Sequence, residues 1–156
     1  VASPDAIALG YLIEAVGAWK TALYRASVVM LGCACERIIL VLAEHVSQVD
    51  VSPYSANLAK MLAPGKPSNI SDVFTQVRDA LVTAAEEKRL PRELGSDVID
   101  RRLTPIFERA RRLRNKSGHP SGDEIHAEEA EAGLLLFPDF HEVASRILVE
   151  LGRKGR

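Results

Sequence analysis

The stretch RRLRNKSGHP, Arg111 to Pro120, puts an arginine and a histidine five residues apart where a helix has to stop. The guanidinium of Arg114 offers a planar donor fork that matches a phosphate, and His119 brings an imidazole, the side chain suited to moving protons near neutral pH. Such a pair binds a phosphodiester and moves a proton at a neighbouring 2′-hydroxyl or at the leaving oxygen. Residues five apart on an ideal helix are separated by about 140° and share no face. Asn115, Ser117 and Gly118 are poor interior helix residues, and Pro120 disfavours the α region for His119, so the helix ends within this stretch. A positive φ at Gly118 would swing His119 back over the last turn toward Arg114, and Asn115 would brace the pair by bonding across the helix end.

Arg101, Arg102, Arg109, Arg111, Arg112, Arg114 and Lys116 place seven cations within sixteen residues. They form either a solvated basic face near a helix C-terminus, favoured by the macrodipole, or, at Arg111, Arg112 and Lys116, contacts to a substrate backbone. Glu36 is the other charge that stands out, because its helix is otherwise apolar nearly all round. A carboxylate there must be paired or protonated. It serves as a structural ion pair with Arg37 or another arginine, or it orients Arg114.

No glycine-rich phosphate loop, no cysteine pair at zinc spacing and no His-x-x-x-His is present, so neither a metal nor a cofactor is expected. His45, His126 and His141 read as surface residues beside Glu44, Glu129 and Glu142, with a metal site built across the fold left open.

The elements that position these groups follow from length and pattern. At 156 residues, 47% apolar and 26% charged, the chain is one domain, residues 1–156, with room for one core. A formal net charge of −1 leaves any nucleic-acid contact to a local basic patch. Cys33 and Cys35, the two cysteines, point to different faces of a helix and read as small buried apolar residues, in keeping with a reducing cytoplasm. The longest uncharged run of the apolar second segment, Ala26 to Cys35, is half the roughly 20 residues a bilayer requires, so no membrane span is expected, nor a signal peptide. The chain opens on Val, compatible with a processed product, a trimmed form or one domain of a longer protein.

Ser3 as N-cap, Pro4 at the first helical position and Asp5 in the first turn predict a first helix to about Lys20. Thr21 to Gln48 predicts a central helix packed on several sides. A short helix capped by Ser55, an amphipathic one capped by Ser71 and another capped by Ser96 follow, the last bent or divided at Pro105. Two helices meeting at Pro138 complete the chain. No segment alternates as a strand does. The expected class is all-α, a bundle of about five main helices with one or two short ones.

RNKSGH resembles the signature of HEPN domains (higher eukaryotes and prokaryotes nucleotide-binding), an arginine-Asn pair, three spacer residues and a histidine, with Arg114, Asn115 and His119 on the signature positions. YRASVVMLGCACERIILVL is similar to the apolar second helix of that family, its acidic residue falling at Glu36. HPSGDEIHAEEAEAGLLLFP resembles the segment that follows the motif in bacterial members. The likeness covers roughly Tyr11 to Leu151 and is weak from Asp50 to Ser96.

The resemblance implies a HEPN-like helical bundle that dimerises and, in many members, a metal-independent endoribonuclease whose two Arg-His motifs face each other across a two-fold axis. In-line attack by a 2′-hydroxyl needs both a base and an acid, and a partner's copy of His119 would supply the second group. Arg114 and its mate would stabilise the phosphorane, leaving a 2′,3′-cyclic phosphate and a 5′-hydroxyl. The expectation is a cytoplasmic homodimer that cleaves RNA as a toxin or antiviral defence effector, restrained by a cognate antitoxin or regulatory protein. The alternative is a non-catalytic HEPN-like module that binds RNA, a nucleotide or a protein partner. Some members carry a tyrosine two residues after the histidine that a partner enzyme modifies. Ser121 stands there, which puts that mode of restraint in doubt.

Overall fold

The protein is described by a computed structural model for residues 5–65, 68–118 and 124–154. The chain is all-α, and no strand occurs among the described residues. In order come α1 (Ala6–Lys20), α2 (Tyr24–Gln48), α3 (Tyr54–Met61), α4 (Ile70–Glu86), a 3-10 turn (Arg92–Leu94), α5 (Ser96–Val98), a π turn (Ile99–Leu103), α6 (Thr104–Gly118) and α7 (Ala127–Lys154).

Several helix starts lie a residue or two from where hydroxyl side chains predict them. Asp5, rather than Ser3, caps α1: its Oδ1 accepts from the amides of Ile7 at 3.1 Å and Ala8 at 2.9 Å. Ser3 and Pro4 lie outside the described residues. Asn69 takes the role predicted for Ser71, accepting from the Ser71 amide at 2.9 Å. Ser55 sits inside the first turn of α3, behind Pro53 as cap, and its hydroxyl instead ties down the preceding loop, donating to Val49 O and accepting from Val51 N. Ser96 likewise falls inside its helix, with Gly95 as the cap. α2 begins at Tyr24 rather than Thr21, because Thr21, Ala22 and Leu23 close α1. Leu23 N bonds back to Ala18 O at 2.9 Å, and Ala22 takes a φ of 59° to allow it.

The two interior prolines are accommodated. Before Pro105 the helix widens into the π turn, and the Thr104 hydroxyl donates to Ile99 O at 3.0 Å, so the register shifts instead of breaking. Pro138 lies within a continuous α7, which is one helix and not two. A proline there costs about 3 kcal/mol. Phe137, Phe140, Ala144, Ile147 and Leu151 are all buried at helical spacing along that helix, and burying such side chains at about 1.5–3 kcal/mol each outweighs it.

α2 is apolar along most of its length. Taken whole, it has a mean hydropathy of 2.0 over its most apolar eighteen residues, long and apolar enough to cross a membrane, although no uncharged run in it exceeds ten. Of that window 56% is buried within the fold, as in a central core helix. Cys35 on this helix is buried, and burial pushes its thiol far above the usual range, whereas Cys33 is half-exposed rather than buried.

Contacts gather the chain into two compact units. One takes the described residues of Ile39–Thr104 and Val143–Arg156. There α3 packs on α4, Asn57 donates to Gln76 at 3.2 Å, and Arg78 of α4 bridges to Asp100 of the π turn at 2.8 Å. The other takes the described residues of Ser3–Ile38 and Pro105–Glu142, and it holds every group of the Arg114 region. Four helical segments form it: α1, the first part of α2, α6 and the first part of α7. Asp5, at the start of α1, binds Arg37 well along α2, so these two run antiparallel. Leu31 lies against Gly133 of α7, and Val28, Leu113, Ile125 and Ala130 form a buried cluster flanked by Trp19 and Tyr24.

Candidate functional site

α6 buries Phe107, Ala110, Leu113 and Ser117 at i, i+3, i+4 spacing, which fixes where its cations point. Arg111 and Arg114 flank that stripe and are partly covered; Arg112 and Asn115 face outward. Against the stripe lies α2, running the opposite way. Arg114 meets Gly32, and Arg111 lies within electrostatic reach of Glu36 one turn further along α2.

Gly32 is what lets Arg114 reach its partner. A Cβ on Gly32 would fall 2.8 Å from Arg114 Cβ, 2.9 Å from its Cδ and 3.2 Å from its Cγ, so the aliphatic stem lies in the notch the glycine leaves. From there the guanidinium reaches Glu36, four residues on from Gly32, with Nη1 3.1 Å from Oε1. Arg114 keeps 38% of its side chain exposed, Glu36 only 16%. The cation is thus half open to solvent while the carboxylate is largely enclosed.

The pairing is incomplete. Glu36 Oε1 is in ion contact with Arg114, yet no N–H is aimed at it, and it has no hydrogen bond. The Nε of Arg111 is also buried without a partner, while its Nη2 touches Glu108 at 3.4 Å. Burial raises the Glu36 carboxyl above its ordinary range, and the charges of Arg114 and Arg111 pull it back part of the way. Two arginines therefore face one under-satisfied acid, and the exposed side of Arg114 has donors left for an incoming anion.

Of the two ion-pair partners the sequence allows for Glu36, Arg37 is turned to Asp5 instead, donating from Nε at 3.1 Å and from Nη2 at 2.9 Å. Lys116 is held by Glu129 at 3.2 Å; Glu129 also accepts from the amide of His126, at 3.1 Å, at the start of α7. That amide and Lys116 hold the Glu129 carboxyl below its usual range. Lys116 thus ties the end of α6 to α7, and Arg112 is the exposed cation of the three proposed for a substrate backbone. Asn115 makes no side-chain hydrogen bond to another described residue.

Gly118 remains helical, and among the described residues Gly65 is the glycine with positive φ. The turn predicted at Gly118 is therefore not made there: the residue completes the last helical turn of α6. His119 lies outside the described residues, as does Ser121.

Of the other histidines, His45 Nδ1 is 3.0 Å from Val41 O, His126 precedes α7, and His141 stacks on Phe137 with ring centroids 6.1 Å apart. Among the described residues no three His, Cys, Asp or Glu side chains gather as metal ligands do.

Gly32 escapes the sequence-based selection of site residues. An isolated glycine inside an otherwise apolar helix is a signal of close approach, but the sequence does not say to what. No family model, no curated protein and no solved structure matches this chain.

Proposed function

We propose that the chain is a metal-independent endoribonuclease of HEPN type, acting as a homodimer, with Arg114 and His119 as its catalytic residues. The observation that carries the reading is the placement of Arg114: its stem is seated on Gly32, its guanidinium steadied by Glu36, and its outer side open to solvent at 38% exposure, five residues before a histidine. In the proposed reaction a scissile phosphate takes the free donors of Arg114. One imidazole withdraws the proton of the adjacent 2′-hydroxyl, the oxygen attacks phosphorus, and a second imidazole, from the partner's copy of the motif, protonates the departing 5′-oxygen. Negative charge on the phosphorane is met by guanidinium groups already in position, where preorganised donors stabilise it most. Products are a 2′,3′-cyclic phosphate and a 5′-hydroxyl.

Glu36 is a positioning residue in this scheme, holding the guanidinium of Arg114 by an ion contact at 3.1 Å. Arg112 lies on the same helix, exposed and suited to flanking phosphates. In the cell the enzyme acts in the cytoplasm as a toxin or defence effector held in check by a cognate protein.

A second reading, a HEPN-like module that binds RNA or a nucleotide without cutting it, draws on the ion contact of Arg114 with Glu36, which offsets part of the charge that catalysis would use. Incubating the purified protein with single-stranded RNA in excess EDTA separates the two. Cleavage by the wild type that is lost in Arg114→Ala supports the enzyme; RNA bound and left whole supports the module.

A further inference from the structure

α1 and the first part of α7 meet along a strip that the proposed reaction does not use. Val28 of α2 clusters with Ala130 and Leu31 meets Gly133, so this part of α7 runs parallel to α2 and therefore antiparallel to α1. Between α1 and α7 lies a cleft of about 250 Å³, walled by Ala8, Leu9 and Leu12 on one side and by Phe137, Pro138 and His141 on the other. Because the helices are antiparallel, two apolar residues carry the strip onward in one direction: Ile13, one turn on from Leu9, and Leu135, one turn back from Pro138. Ile13 is 64% exposed and Leu135 72%, although both are large and apolar. A contiguous apolar strip of this kind on a folded surface marks a place where something binds.

Size and charge together select the occupant. The cleft is smaller than the roughly 300–1,000 Å³ of small-molecule sites, and His141 is its one polar wall residue, so it suits a single buried side chain rather than a metabolite. Glu131, one turn before Leu135, and Glu142, one turn after Pro138, border the strip on α7; both are exposed, and neither pairs with a cation among the described residues. α7 carries no lysine or arginine up to Glu142, and on α1 Lys20, its last residue, is the only one. A second copy of the chain would set this acidic border against itself, and nucleic acid or an anionic membrane would be repelled by it. We infer that the strip docks an amphipathic helix of a partner protein, with one apolar anchor in the cleft and lysines or arginines facing Glu131 and Glu142. Those two acids stand eleven residues apart, about 16.5 Å along α7, so the matching cations sit about three turns apart on the incoming helix.

The full chain would be titrated with fluorescein-labelled synthetic helices of about five turns, read by anisotropy. Each carries leucines at i, i+3, i+4 and i+7; one has lysines about three turns apart along the edge of that stripe, the other glutamates in their place. The lysine peptide is expected to bind about tenfold or more tighter than the glutamate peptide. Glu131→Gln combined with Glu142→Gln should erase that preference. Ile13→Ala combined with Leu135→Ala should weaken the lysine peptide about tenfold or more, and since both side chains are exposed and alanine favours a helix, the thermal midpoint should hold. A lysine peptide that does not bind, or that binds the alanine variant as tightly as the wild type, overturns the inference. So does a wild-type dimer in sedimentation that the alanine substitutions dissociate, because a second copy would then cover the strip. The inference stands apart from the ribonuclease: RNA left whole in EDTA removes that function and leaves the peptide binding as it was.

Discussion

Gly32 and Arg114 interlock: a methyl group on residue 32 would lie 2.8 Å from the Cβ of residue 114. Rotating the arginine cannot relieve that contact, because a Cβ is fixed to its backbone, so the helices themselves would have to part.

Gly32→Ala tests this relationship. Alanine in a helix interior gains about 1 kcal/mol over glycine, while overpacking costs about 1–3 kcal/mol. The expected net effect on stability is therefore small, about 1 kcal/mol of destabilisation by urea unfolding. RNA cleavage should fall on the order of 100-fold, since the guanidinium moves off its mark. A Gly32→Ala protein that cuts at the wild-type rate would show that the notch positions nothing.

Glu36→Gln should separate stability from function. Burial raises the Glu36 carboxyl, so the folded chain keeps that proton to higher pH than the unfolded chain does. Stability from this group is greatest below its ordinary range and declines as pH rises through the raised value. Relative to wild type, Glu36→Gln should therefore gain stability as pH rises from 4 to 7, while loss of the ion contact to Arg114 lowers cleavage about tenfold at neutral pH. Urea unfolding at the two pH values reads the first effect. A variant that loses ground as pH rises would reverse the sign assigned to Glu36.

Asp5 behaves in the opposite sense. Hydrogen bonds from the Arg37 side chain hold its carboxyl below the ordinary value of 3.8, assisted by the amides of Ala8 and Ile7, with burial opposing. Its stabilisation is present above that value and is lost as pH falls through the lowered one. Asp5→Ala removes both the cap and the Arg37 bridge and should cost about 1–2 kcal/mol at pH 7. The difference from wild type should shrink in acid; a gap that stays constant down to pH 2 would mean the charge of Asp5 is not what matters.

Ala22 closes α1 with a φ of 59°, a region where a residue with a Cβ is strained by roughly 1–2 kcal/mol. Ala22→Gly should recover part of this after the entropy glycine adds to the unfolded chain, a net gain of about 0.5–1 kcal/mol. A higher thermal midpoint by calorimetry checks it, and a lower one would contradict it.

What the sequence made legible follows a physical line. The all-α class was readable because α4 and α6 each carry apolar residues at helical spacing and nothing alternates. Glu36 was readable because an acid on so apolar a helix demands a cation. Helix starts shifted because Asp5 and Asn69, two residues from Ser3 and Ser71, are as fit to cap as those serines, and because the Ser55 hydroxyl is taken up by the loop before α3. Pro138 misleads because its local cost is visible in the sequence while the burial of Phe137 and Phe140 on either side is visible only in the fold. Gly32 was illegible for a related reason: its meaning depends on which residue of α6 lies opposite, and that register is a tertiary fact.

The central claim is that Arg114 and His119 cut RNA without a metal, and the ends of the cut report on it most directly. Single-stranded RNA treated with the wild type in EDTA should yield 2′,3′-cyclic phosphate and 5′-hydroxyl ends, with both Arg114→Ala and His119→Ala leaving it whole. Cleavage that needs added metal, ends bearing a 5′-phosphate, or undiminished cutting by His119→Ala would contradict the account.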